Sequence, residues 1–417
     1  MNRILTDRRT SLLIVIVCFV TYTLIGFSRS AYTAAIAGII DAGIFTKTAA
    51  GTINSSFYIT YSITQILGSF YVDKISPFKI IALGLIGTII ANVIMGLYAS
   101  YSVIFIARSF TGIVQFGIWP ALLRIITEYI CPDLRAKSKY FMPLGISTGS
   151  ILSFLIASIV LKYGNWQNLF TVTYVSLGVI TMVFFITVAY AEKKAQPVIL
   201  QVKENVKLTS EEASKKSNIS TWKMVLSSGA VFIFVFAFMN SLVGAGIESW
   251  MPTLIMESYD LSASFSSILT TVATCSNLVG VFWVVLFYPR VVRNEVTAVG
   301  LFFLMSLPMV IVMTFVGKIP LVMTVGLIIF VNMFKSAVHQ FNTVEIPTGY
   351  KKYNKAGMMA GLINVAACVG SMVAGTIYGY TADEYGWSAT ILLWAVFIFI
   401  GMVASFIATP FWKNYKK

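Results

Sequence analysis

One histidine, His339, and four cysteines are all that this 417-residue chain offers for soft-metal chemistry. The cysteines, Cys18, Cys131, Cys275 and Cys368, are scattered, and none forms a Cys-x-x-Cys pair. Neither a disulfide framework nor a zinc site follows from such spacing. Charge is scarce as well, at 11% of residues, with 16 acids against 30 bases. No Gly-x-x-x-x-Gly-Lys-[Ser/Thr] run occurs, so no loop is present to cradle a nucleotide phosphate. A single histidine and few acids in apolar segments leave no Ser-His-Asp or paired-carboxylate arrangement. The expectation is therefore no enzyme, no cofactor and no metal. A cleavable leader is not expected either, since the first apolar run is long and no small-residue cleavage site bounds it.

What remains is hydrophobic. Apolar residues make up 58% of the chain and mean hydropathy is +0.84, well beyond soluble averages. Twelve apolar segments fall at about 12–37, 50–72, 78–99, 102–126, 140–161, 168–190, 226–250, 264–288, 296–316, 320–342, 357–379 and 388–410, each near the roughly 20 residues a membrane helix needs. Only one long polar stretch interrupts them, Glu192 to Lys223, with seven Lys and four Glu. The pattern predicts an all-α membrane protein: a six-helix bundle over 1–191, a cytoplasmic linker over 192–223 and a second six-helix bundle over 224–417.

Charge orients that arrangement. With both ends and the linker on one side, that side holds 24 of the 30 Lys and Arg. The opposite loops hold Lys47, Lys162 and Lys318, and the spans hold Arg29, Arg108 and Lys335. Basic loops stay inside, so both termini are expected in the cytoplasm of a cell membrane. The net charge of +14 is then a topology signal and no sign of nucleic-acid binding.

The halves also echo each other. Gly149-Ser150 and Trp166 recur as Gly370-Ser371 and Trp387 at a constant offset. Gly145, Gly149, Gly357, Gly361, Gly370, Gly375 and Gly379 are expected to allow close helix approach. Two related halves are the mark of a rocking transporter whose site lies near the midplane.

Arg29 is the sharpest feature. It is the sole charge between Leu12 and Ile40. A guanidinium at membrane depth is costly and faces protein or a watery cavity, and it cannot lose its proton. It is the natural anchor for an anion. In the tenth segment Asn332, Lys335, His339 and Asn342 are spaced 3, 4, 3 and share a face. Lys335 reads as a second cation of the site. His339 reads as structural or as a proton-coupling group. In the fourth, Arg108, Gly112, Gln115 and Trp119 form another stripe, and Arg108 is either interfacial, a partner of Glu248 or a second anion contact. In the seventh, Asn240, Gly244 and Glu248 share a face, with Glu248 interfacial, a proton carrier or an ion partner. Tyr32, one turn from Arg29, and Tyr58, Tyr61 and Gln65 complete the set.

Four stretches carry a family resemblance: Gly26-Phe-Ser-Arg29-Ser-Ala-Tyr32, Tyr61 to Lys74 with Gly68 and Asp73, Gln115-Phe-Gly117-Ile-Trp119-Pro120, and Ser249-Trp250-Met-Pro252-Thr253. On these the chain resembles the major facilitator superfamily, within it the organophosphate:phosphate antiporters, such as the glycerol-3-phosphate and hexose-phosphate transporters, and the wider anion:cation symporter group. The resemblance implies the twelve-helix fold and alternating access. Two positions depart from it. Gly244 stands where the antiporters carry a second arginine, and Ile146 where they carry a histidine. Asp73-Lys74 with Lys79 resembles a degraded form of the superfamily's cytoplasmic loop, with a structural role implied.

The expected substrate-binding residues are thus Arg29, Tyr32, Tyr61, Gln115, Trp119, Lys335 and His339. Arg108, Glu248 and His339 are the coupling or ion-pair candidates. The leading expectation is a secondary transporter of a small organic anion, a phosphorylated sugar or glycerol phosphate exchanged for phosphate. The alternatives are a proton-coupled symporter of a carboxylate such as a sugar acid, and a transporter-like sensor of a sugar phosphate. Phosphate or a proton would be the coupling ion, lipids the surroundings, and a monomer the working form.

Overall fold

The structure is a computed structural model and describes residues 3–72, 74–197, 224–225, 227–288, 290–350 and 355–416. The linker expected over 192–223 lies almost wholly outside these residues, as does Asp73. Each apolar segment falls on a helix. In chain order these are α1 (Arg8–Asp41), α2 (Lys47–Val72), α3 (Pro77–Leu97), α4 (Tyr101–Gln115), α5 (Ile118–Arg124), α6 (Pro132–Phe141), α7 (Leu144–Tyr163), α8 (Gln167–Lys194), α9 (Ala230–Tyr259), α10 (Ala263–Phe287), α11 (Glu295–Met313), α12 (Leu321–Gln340), α13 (Ile346–Thr348), α14 (Ala356–Glu384) and α15 (Gly386–Lys416). Among the described residues, eleven helices are long and apolar enough to cross a membrane by length and composition. The one strand pairing is short: β1 (Arg3–Ile4) lies antiparallel to β2 (Gln196–Pro197).

Local chemistry sets the helix ends. Asp7 caps α1 by accepting from the Arg9 and Thr10 amides at 3.1 and 3.2 Å, satisfying donors that a helix start leaves open. Asn294 does the same for α11, accepting from Val296 and Thr297. Pro77 and Pro132 open α3 and α6, where their missing N–H costs nothing. Two interruptions are not visible in hydropathy. The fourth segment breaks after Gln115 and closes in a π-turn over Ile125–Tyr129. The tenth ends in a π-turn over Phe341–Glu345, 216 residues later.

The chain divides into two compact units. The first comprises Met1–Phe45, Ser56–Lys203 and Ala263–Ile268, the second Thr46–Ser55, Glu204–Ser262 and Leu269–Lys417. In the first, α1 packs on α7 through bare backbone. A Cβ on Gly149 would fall 2.2 Å from the Thr23 carbonyl oxygen, and one on Gly26 would fall 2.8 Å from that of Ile146. Ser30 and Ser150 share a buried hydroxyl bond of 2.7 Å across this seam. In the second unit α14 meets α9 in the same way, with a Cβ on Gly370 falling 2.4 Å from the Phe238 oxygen. The repeated glycine therefore performs the same task in each half. Gly375 and Gly379 are close-packed too, against Gly51 and Lys47. Among the described residues, nothing lies within 4 Å of a Cβ placed on Gly357 or Gly361, so no close approach is seen there.

One end of the second unit is tied by charge. Asp383 accepts from the Thr48 amide at 2.7 Å and its hydroxyl at 2.5 Å. Lys47 lies 3.1 Å from Glu257, which also accepts from the Trp387 indole at 2.8 Å.

Candidate functional site

Within the first unit, Arg29 projects from the middle of α1 and is half-buried. Its guanidinium carbon lies 4.8 Å from the Tyr61 ring centre and 5.3 Å from that of Phe57. Both rings belong to α2 and stand one helical turn apart, stacked at 5.7 Å. Such ring faces attract a cation, so Arg29 is held in place without its charge being neutralised. Among the described residues it forms no ion pair, and its buried Nε has no hydrogen-bond partner. A positive, incompletely bonded guanidinium is what an anion requires.

Arg108 plays another part. Its side chain is fully buried, and Nη2 donates to the Arg29 carbonyl oxygen at 2.8 Å. Its guanidinium lies over Phe57 at 4.5 Å and Tyr32 at 5.4 Å. Phe57 thus serves both arginines. Tyr32 is fully buried against Arg108. Gln115 is buried, donating to Thr88 at 3.4 Å while its own oxygen lacks a partner. Trp119 is half-buried and stacks on Tyr22 at 5.1 Å. The structure therefore brings Arg29, Tyr61 and Arg108 into one cluster, with the Trp119–Tyr22 stack beside α1.

The second unit contributes a second polar cluster. Lys335, half-buried on α12, lines a small cavity with Asn240, Ser306 and apolar side chains. Its methylene stem fills the space beside Gly244: a Cβ there would fall 2.7 Å from the lysine Cδ. The residue type at 244 and the path of Lys335 are thus linked. Glu248, one turn further along α9, acts on Lys335 electrostatically, but the two form no ion pair within 4 Å. Along the predicted stripe, Asn332 and Asn342 are buried and His339 is exposed. The π-turn after Gln340 alters the register, so Asn342 does not simply continue the face of the other three.

Sequence reasoning missed Phe57, Tyr22 and the bond from Arg108 to the Arg29 backbone. Tyr22 stands seven residues, two turns, before Arg29, and Phe57 stands four before Tyr61. Helical spacing signals both, whereas nothing in sequence signals the bond between α4 and α1. Among the described residues no group of His, Cys, Asp and Glu could hold a metal ion.

Residues 18–344 match the model of the Major Facilitator Superfamily. The chain is 25% identical over 243 residues, 58% of its length, to the chloroplastic ascorbate transporter of Arabidopsis thaliana, of which the match covers 45%. It is 26% identical over 150 residues, 36% of its length, to a probable hexose phosphate transport protein of Chlamydia trachomatis serovar D, of which the match covers 33%. The chain thus aligns with less than half the length of these curated relatives. Its fold resembles that of a bacterial homologue of the human lysosomal transporter Spinster, solved in an inward-facing and occupied conformation, with TM-score 0.80, 15% identity and coverage of 98% of this chain and 99% of that one. The match over most of the sequence and the all-helical fold together establish that this chain belongs to the Major Facilitator Superfamily.

Proposed function

We propose that this protein is a secondary transporter that moves a small organic anion by alternating access, using twelve membrane helices in two six-helix bundles with both termini in the cytoplasm. Arg29 carries the reading. It is a guanidinium held against two aromatic rings of α2, with no ion pair among the described residues and an unpartnered Nε. Its planar fork can donate to two oxygens of a carboxylate or phosphate. Tyr61 supplies a phenol beside that position, and the Trp119–Tyr22 stack is a surface for a ring. Lys335 is the second positive point. A side chain at position 244 would displace its stem, so a cation on α12 stands in for one on α9. Coupling requires that the anion bind one conformation more tightly than another, which two separate cations can provide. The printed names of the relatives, ascorbate and hexose phosphate, fit an anionic substrate.

Phosphate exchange is the leading mode. A specific observation favours the alternative, proton-coupled symport of a carboxylate such as a sugar acid: Lys335 has Glu248 as an electrostatic neighbour without an ion pair. The test is counterflow in proteoliposomes with a panel of phosphate esters and carboxylates. Uptake that depends on internal phosphate supports exchange, and uptake that depends on a pH gradient supports symport. No uptake of any anion under either drive overturns the reading.

A further inference from the structure

A cavity of about 630 Å³ opens at one end of the second unit, where α10 has ended, α11 begins and α15 closes. Its charged and hydroxyl-bearing lining is Arg293, Glu295, Thr297, Thr409, Lys413 and Lys416. Glu295 is buried and fully engaged. It accepts from the Tyr288 hydroxyl at 2.6 Å, from the Trp412 indole at 2.9 Å and from Lys416. That leaves Arg293 and Lys413, both exposed, and neither forms an ion pair among the described residues. The cavity therefore carries two uncompensated positive charges. The Thr297 hydroxyl donates to that of Thr409 at 3.3 Å, which donates in turn to the Ser405 carbonyl at 3.0 Å, so both are spent within the wall and the cations are what faces the space. The wall is rigid: Trp412 is fully buried and packs on Tyr350 and Tyr415 at 5.2 and 5.8 Å.

Two unpaired cations beside a volume within the usual range for a small-molecule site match a doubly charged phosphate group better than a carboxylate. The location narrows the source. One apolar span begins at Glu295 and another ends at Lys416, and both residues line the cavity. Leu286, Val291 and Phe411 are exposed apolar side chains on the same elements. A phosphate at the level where spans meet water, with apolar side chains alongside, is the position of a phospholipid headgroup, and basic residues there attract anionic lipid. We propose that this cavity binds the phosphate group of an anionic phospholipid, independently of the site at Arg29.

The test uses the full chain in phosphatidylcholine nanodiscs with and without phosphatidylglycerol, read as a shift in melting temperature and as lipid retained in native mass spectrometry. Soluble glycerol 3-phosphate and inorganic phosphate form separate arms. Phosphatidylglycerol should raise the melting temperature, and the Arg293→Gln, Lys413→Gln double variant should weaken its binding on the order of tenfold. The charge-preserving pair Arg293→Lys, Lys413→Arg should keep most of it, which guards against a folding artefact. Arg29→Lys should leave the lipid shift unchanged, so failure here is distinct from failure of the transport reading. A shift from the soluble esters alone, lost in the double variant, keeps the phosphate site but overturns the lipid source. An equal lipid shift in the double variant, or no shift from any probe, overturns the site.

Discussion

Two residues share the work at the centre of the first unit, and their burial separates their roles. Arg29 is half-buried, whereas Arg108 is fully enclosed and spends a donor on the Arg29 carbonyl. Arg108→Met should therefore lower stability by about 1–3 kcal/mol, the cost of leaving a buried acceptor without that donor, and weaken substrate binding less than a change at Arg29. Thermal unfolding and binding on one preparation check this; a wild-type melting temperature with abolished binding would make Arg108 a direct ligand instead. In the second unit Gly244 and Lys335 form a testable pair. Gly244→Ala puts a Cβ where the lysine stem lies, yet a flexible stem can swing aside, so the expected effect falls on substrate affinity more than on folding. Lys335→Ala should weaken binding by itself and remove the penalty of Gly244→Ala in the double variant, because neighbours that contact each other are not additive. Additive effects in that cycle would break the link between position 244 and the lysine. The cations themselves were legible in sequence, since an isolated charge in an apolar run stands out. The aromatic setting of Arg29 was legible only in part, because tyrosines in a membrane helix more often serve packing.

At the scale of elements, hydropathy and glycine spacing predict most of what is found. The first segment, read as 12–37, is Arg8–Asp41, and the eleventh, read as 357–379, is Ala356–Glu384. Both were read short because polar and charged end residues dilute hydropathy without ending a helix. The π-turns at Ile125–Tyr129 and Phe341–Glu345 and the break after Gln115 leave no composition signal, since one extra residue in a turn changes spacing and not polarity. Glycine spacing likewise marks Gly149 and Gly361 alike, although only the first touches another backbone. Gly149→Ala and Gly370→Ala should each destabilise by roughly 1–3 kcal/mol, as overpacking against unyielding atoms does, while Gly361→Ala should be neutral or slightly stabilising. Equal losses at all three positions would contradict the helix seams described. Asp7 adds a pH effect at the start of α1. The Thr10 hydroxyl, and then the Arg9 amide, hold its carboxyl below the ordinary carboxylate range. A carboxyl depressed by folding stabilises above its unfolded value of about 4 and loses that contribution as pH falls through the lower folded value. Asp7→Asn should flatten that part of the acid dependence while keeping a cap; an unchanged melting profile below about pH 4 would remove Asp7 from the account.

The whole molecule is a Major Facilitator Superfamily chain whose charge distribution sets its expected orientation. A single cysteine at Ser210, outside the described residues, should react with an impermeant thiol reagent only after permeabilisation, and one at Asp383 should react in intact cells. The reverse pattern would overturn the inside-positive assignment. The repeated Gly-Ser positions of the sequence correspond in the structure to the same close backbone approach at Gly149 and Gly370. Substrate identity is not written in either, because a carboxylate and a phosphate present similar oxygens to one guanidinium. The central claim, that Arg29 anchors a transported anion, is tested most directly by comparing wild type with Arg29→Lys in the same proteoliposomes, using whichever anion the counterflow panel identifies. The lysine keeps the charge but loses the planar fork, so loss of one charge-assisted bond, about 1.5–3 kcal/mol, should cut affinity roughly tenfold to hundredfold in a protein that still folds. Uptake and affinity equal to wild type in Arg29→Lys would contradict the account.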